Sequence, residues 1–81
     1  MARSGMRELV EFLVRALVEN PDAVEVAEFD DDGDLVLEVT VAGDDLGRVI
    51  GRGGRIANAI RTVARAAGSR GERRIVVDIL D

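Results

Sequence analysis

The sequence predicts an α+β fold in which three helices cover one face of a three-stranded mixed sheet. Two observations carry this reading. Apolar residues recur at helical spacing from about Ser4 to Glu19 and from Arg55 to about Ala67, but they alternate with a period of two over Val24–Phe29, Leu35–Val41 and Arg74–Leu80. Proline, glycine and aspartate fall between these segments, where chain reversals are needed. The order is helix, strand, strand, helix, glycine-rich loop, helix, strand. A strand-to-strand connection that passes through helices is right-handed and joins parallel strands. The last strand should therefore run parallel to the second, and the first antiparallel to it.

In the first helix Met6, Leu9, Val10, Leu13, Ala16 and Leu17 share a stripe, and Arg7, Glu8, Glu11, Arg15 and Glu19 lie mostly opposite. Asn20-Pro21 stops it, because proline disfavours a helical conformation in the residue before it. Asp30-Asp31-Asp32-Gly33-Asp34 favours a tight reversal between two antiparallel strands. This acidic tip fails as a calcium loop: with Gly33 at the sixth position, the twelfth falls on Val39 where a bidentate glutamate is required. Leu35, Leu37, Val39 and Val41 point to the core. Asp44 is the expected N-cap of a short helix burying Leu46, Val49 and Ile50. The next helix, from Arg55, carries Ile56, Ala59, Ile60, Val63 and Ala67 on one stripe and Arg55, Asn58, Thr62 and Arg65 on the other. Gly68-Ser69-Arg70-Gly71 is a turn, and Ile75, Val77 and Ile79 of the last strand face inward. Val36, Glu38, Thr40, Val76, Asp78 and Leu80 are left on the outer face of the sheet, a surface apolar enough in part to support self-association.

Eighty-one residues suit one domain, residues 1–81, with a single modest core. No apolar run is long enough to span a bilayer, and the start leads directly into an amphipathic segment, so a cytoplasmic location and no membrane partner are expected. Cysteine and histidine are absent. That excludes disulfides, thiolate chemistry, the usual zinc sites and histidine acid-base catalysis, so no metal, cofactor, small-molecule substrate or enzymatic activity is expected. Two phenylalanines and no Trp or Tyr exclude a broad aromatic platform for stacked bases. The net charge of -5 conceals two unlike halves. Residues 1–45 carry three Arg against thirteen Asp and Glu, a net of -10, and residues 46–81 carry eight Arg against three acids, a net of +5.

The basic half contains Val49-Ile50-Gly51-Arg52-Gly53-Gly54-Arg55-Ile56. Three glycines in four positions would cost a helix interior about 0.5–1 kcal/mol each relative to alanine, so the segment is a forced break between helices. Bare backbone there suits close approach of an anion. The helix beginning at Arg55 directs its first amides and the positive end of its dipole toward the loop, and Arg52 and Arg55 add two cations. A dinucleotide fingerprint fails because its third glycine position is Ile56 and a helix, not a strand, precedes the loop. A P-loop fails because the chain has no lysine.

What remains, Ile50-Gly51-x-x-Gly54-x-x with a helix on each side and a strand beyond each helix, resembles the KH domain, and the leading helix and strand resemble its type II arrangement. Leu17-Val18-Glu19-Asn20-Pro21-Asp22 and Asp45-Leu46-Gly47-Arg48-Val49-Ile50-Gly51 extend the likeness, over essentially the whole chain, to the small single-domain bacterial KH proteins of the KhpA type. The resemblance implies an RNA-binding protein, a post-transcriptional regulator or RNA chaperone, that holds about four single-stranded nucleotides beside the loop. It implies RNA contacts from Gly51, Arg52, Gly53, Gly54, Arg55, Arg48, Ile50 and Ile56, an aliphatic groove floor that includes Val76, a homodimer, and pairing with a larger KH-containing protein. In the family the second middle position of the loop is usually polar, and Gly53 departs from this, which implies a more flexible loop and weaker binding. The alternative is a KH-shaped protein-interaction module with little or no RNA binding, to which the acidic first half lends weight.

Overall fold

The computed structural model describes residues 5–68 and 73–80. Its elements follow the predicted order: α1 (Met6–Leu17), β1 (Glu25–Asp31), β2 (Asp34–Thr40), α2 (Leu46–Ile50), α3 (Arg55–Ala67) and β3 (Ile75–Ile79), with 3-10 turns at Pro21–Ala23, Gly43–Asp45 and Arg52–Gly54. The strands form one sheet in the order β1-β2-β3. β1 and β2 are antiparallel and β2 and β3 parallel, as the connections require. Among the described residues no helix is long and apolar enough to cross a membrane.

The β1–β2 reversal is tighter than the acidic run suggests, because both strands continue into it and only Asp32 and Gly33 turn. Both have positive φ, 54° and 92°, the conformation a two-residue hairpin demands. Leu35, Leu37 and Val39 of β2 are buried, with Ile75 and Val77 of β3 beside them and Val26 of β1 opposite Val39. Of the turn predicted at Gly68–Gly71, only Gly68 lies among the described residues. A Cβ at Gly68 would stand 3.0 Å from Ile75 Cγ1 and 3.2 Å from Met6 Cε, so the backbone there is packed tightly against α1 and β3.

Both long helices are rotated from the predicted stripes. In α1 the buried residues are Met6, Val10 and Val14, whereas Ala16 and Leu17 are exposed. In α3 they are Ala57, Ile60 and Ala64, and Ala59, Val63 and Ala67 are exposed. Small Ala57 and Ala64 face the core, which lets the α3 backbone pack close. The larger Val63, together with Leu13 and Leu17 of α1, is displaced toward a shared outer groove.

Two local expectations are corrected. α1 ends at Leu17 and not Glu19, and Asp44 is not an N-cap: it is exposed, and neither it nor Asp45 caps α2 through its side chain. One interaction explains both. The Asp45 carboxylate is buried, 1% exposed, and accepts hydrogen bonds from the Glu19 amide (3.0 Å), the Asn20 amide (3.0 Å) and Asn20 Nδ2 (2.9 Å). Chain leaving α1 turns extended at Val18 to deliver those amides, and the start of α2 is thereby fastened to the end of α1.

The Glu19 amide does most to hold the Asp45 carboxyl below the usual aspartate range, outweighing the desolvation that pushes it up; the Asn20 donors and the Arg48 charge act in the same lowering direction. A folded pKa below the unfolded one contributes stability at neutral pH that is lost as pH falls through the folded value. Asp45→Asn also replaces an accepting oxygen with a donor facing other donors. Urea titrations from pH 7 down to about pH 3 should therefore show wild type losing stability on acidification, and Asp45→Asn starting lower with a flatter acid dependence.

Candidate nucleic-acid interface

The glycine loop joins α2 to α3 through backbone conformations that side chains resist. Gly51, Gly53 and Gly54 have φ of 77°, 66° and 80°. The reason is sharpest at Gly51: a Cβ there would stand 2.4 Å from Ile56 Cγ1 and 2.8 Å from Ile56 N. Ile56 of α3 is thus wedged against the end of α2, and only a glycine admits it. Gly53 is the opposite case, with nothing within 4 Å of its virtual Cβ. Its bareness leaves the tip of the loop open. The Gly51 amide closes α2 onto Gly47 O (2.8 Å) and the Gly54 amide closes the loop onto Gly51 O (3.1 Å). No side chain caps α3; its first amide, that of Arg55, turns back onto Arg52 O, and the positive end of the helix dipole faces the loop.

The arginines separate into two groups. Arg52 and Arg55, beside the loop, are exposed, and among the described residues neither side chain has an ion-pair or hydrogen-bond partner. Away from the loop, Arg65 and Arg74 are also exposed without a side-chain partner among the described residues, and the remaining described arginines are engaged. Arg7 and Arg15 pair with Glu11 on α1. Arg61 donates to Val77 O (3.1 Å) and Asn58 Oδ1 (3.2 Å), tying α3 to β3. Arg73 pairs with Asp30 and donates to Gly33 O (3.2 Å), so it serves the acidic hairpin. Arg48 Nη2 lies 2.9 Å from Glu19 Oε2, and its Nε lies 3.5 Å from Asp45 Oδ1.

The acidic hairpin is remote from this site. α3 runs from the loop back to the edge where β3 begins, beside the hairpin, and its 13 residues span roughly 20 Å. That exceeds the Debye length of about 8 Å at physiological salt, so the Asp30–Asp34 cluster weakly affects an anion at the loop.

Of the other expected contacts, Ile50 is half-buried at the end of α2. Ile56 is half-buried and reaches inward to Gly51 and to the groove between α1 and α3. Val49 is wholly buried core. Val76 lies on the outer face of the sheet, beside Val36 and away from the helices. The main residue that sequence reasoning missed is Asp45. Nothing in its spacing separates a buried carboxylate from the exposed Asp44 next to it, since its partners lie 25 and 26 residues away. The one available cue was its position just before an apolar helical turn.

Unequal tolerance at the glycines is the testable consequence. Gly51→Ala should lower the thermal midpoint by several degrees, because both φ and the Ile56 contact are violated. Gly53→Asn, with open space and a residue that accepts positive φ, should change it little.

Known proteins share this chain's sequence pattern and fold. The family model described as "KhpA/KhpB, KH domain" matches residues 7–79. The RNA-binding protein KhpA of Caldanaerobacter subterraneus subsp. tengcongensis is 48% identical over 75 residues, covering 93% of this chain and 100% of that one. The RNA-binding protein KhpA of Streptomyces coelicolor is 51% identical over 74 residues, covering 91% and 94%. Aquifex aeolicus Era bound to GDP.AlF4- superposes with a TM-score of 0.65 at 21% identity, over 95% of this chain and 30% of that one. A structure of Era in complex with MgGDPNP and nucleotides 1506-1542 of 16S ribosomal RNA gives a TM-score of 0.66. Those two show the fold, which is that of a type II KH domain. With the helix-strand-strand-helix-helix-strand order, the glycine loop and the match over residues 7–79, the chain belongs to the KhpA/KhpB family of KH domains.

Proposed function

We propose that this protein binds single-stranded RNA, about four nucleotides at a time, along the loop from Gly51 to Gly54, and acts in the cytoplasm as a post-transcriptional regulator or RNA chaperone. The observation that carries the reading is the bare turn itself: an unobstructed Gly53, an uncapped α3 and two unengaged arginines, Arg52 and Arg55, at one end of the molecule. Its relatives named RNA-binding protein KhpA support it. The family is one of RNA-binding domains and the chain is not an enzyme. In this reading the Arg52 and Gly53 amides and the Arg52 guanidinium meet phosphates, the Gly51 and Gly54 amides hold the turn, Arg55 and Arg48 extend the positive edge, Ile50 lies at the groove wall, and Ile56 acts by holding the turn at Gly51.

Replacing Arg52 and Gly53 together by aspartate tests this directly. Both side chains would project into open space, and aspartate accepts positive φ, so circular dichroism and the thermal midpoint should stay near wild type. Affinity for a short single-stranded RNA should fall by about tenfold or more. Wild-type affinity should fall with log salt at a slope of roughly -2 to -3, as for three or four phosphates. Unchanged RNA affinity in the double variant would leave the interaction-module reading in its place.

Weak binding by so small a site is raised by pairing, and we propose a homodimer, with a larger KH-containing protein as an alternative partner for the same surface. The support is an apolar groove of about 260 Å³ lined by Leu13, Ala16 and Leu17 of α1 and Ile56, Ala59 and Val63 of α3. Beside it on α1 stands Phe12, 71% exposed. A knob next to a hole is self-complementary under a two-fold axis. This surface, and not the outer sheet face, carries the most exposed large apolar side chain among the described residues. Sedimentation equilibrium should show a dimer for wild type and a monomer for Phe12→Asp or Val63→Asp. A monomeric wild type would remove the proposal.

A further inference from the structure

Arg48 differs from the other two arginines near the loop in having its charge occupied. It lies on α2 three residues before Gly51, about one helical turn away, and its side chain is 49% exposed. Two carboxylates hold it. Asp45 is buried and committed to the end of α1, where it already accepts three hydrogen bonds. Glu19 is different: its side chain is 72% exposed, and its side-chain contact is the ion pair with Arg48. The structural work of residue 19 is done by its amide, which donates to Asp45 whatever the side chain is.

From this we infer that Glu19 is an affinity-setting residue, a built-in carboxylate that competes with RNA phosphate for Arg48. The inference rests on the RNA-binding reading above and names a determinant of that same site. Its physical basis is that a guanidinium fork satisfied by a carboxylate must surrender that pairing before it can engage a phosphate in the same way. Exposed pairs are weak, so the competition is partial and tunes affinity. The arrangement gives the chain three graded cations beside the loop: Arg52 and Arg55 available at once, and Arg48 available against competition.

The test is a double-mutant cycle on the full chain, read by fluorescence anisotropy with a short labelled single-stranded RNA of mixed sequence over a range of salt. Glu19→Gln should bind about two- to fivefold more tightly than wild type, with a salt slope steeper by up to about 0.7, equivalent to one more phosphate. Arg48→Gln should bind more weakly. In the Arg48→Gln background, Glu19→Gln should bring no gain. Thermal midpoints, measured alongside, should show every variant folded.

Three results would overturn the inference: no gain from Glu19→Gln, an equal gain with and without Arg48, which would mean a general field effect, or RNA affinity indifferent to Arg48→Gln, which would make Arg48 a structural staple. The paired variant at Arg52 and Gly53 keeps this apart from the parent reading. If that variant loses RNA while Glu19→Gln gains nothing, RNA binding stands and the competition falls. If wild type binds no RNA, both fall.

Discussion

The contact between Gly51 and Ile56 is the constraint on which the remaining architecture turns. An isoleucine pressed into the space where a Cβ would be sets how sharply α3 leaves α2, and with it where the α3 amides and the flanking arginines sit. α2 has five residues, far too few to be stable alone. It is held from both ends: by Asp45, which ties its start to the end of α1, and by the closed turn at Gly51. The loop is therefore bare but not slack. Its backbone is fixed by packing beneath it and left uncovered above.

Electrostatics follows from the same topology. The crossover through α2 and α3 between parallel β2 and β3 places the loop at the end of the sheet where β2 finishes, and the acidic hairpin at the end where β2 begins. Charges of opposite sign that partly offset one another in the composition are kept apart along the length of α3. Arg73 partly neutralises the hairpin locally, and Arg61 is absorbed in tying α3 to β3. The net charge of -5 thus says little about the site, where the exposed unengaged side chains are cationic.

Element order, strand pairing and the glycine loop were legible in the sequence because each rests on local rules: a period of two, a period of 3.6, a proline after α1, three glycines in four positions. Which helical face is buried was not legible. α1 has apolar residues at Phe12, Leu13, Val14, Ala16 and Leu17, enough for two stripes, and only packing against the sheet selects Val14 and leaves Phe12 in solvent. In α3 the same ambiguity was resolved by size, with Ala57 and Ala64 inward and Val63 outward. Asp45 and the Glu19–Arg48 pair were invisible for a different reason. They join residues 25 to 29 positions apart, and no local pattern encodes such a pairing.

In the function proposed above, an uncovered main-chain turn, assisted by guanidinium groups, receives the backbone of a polynucleotide. Amide chemical shifts followed by NMR during titration with a short single-stranded RNA test it most directly. The largest changes should fall on Gly51 to Ile56 and the first turn of α3, with the hairpin around Asp32 and the outer face at Glu38 left unmoved. Changes centred on Phe12 and Val63, or on the sheet, with the loop silent, would contradict it.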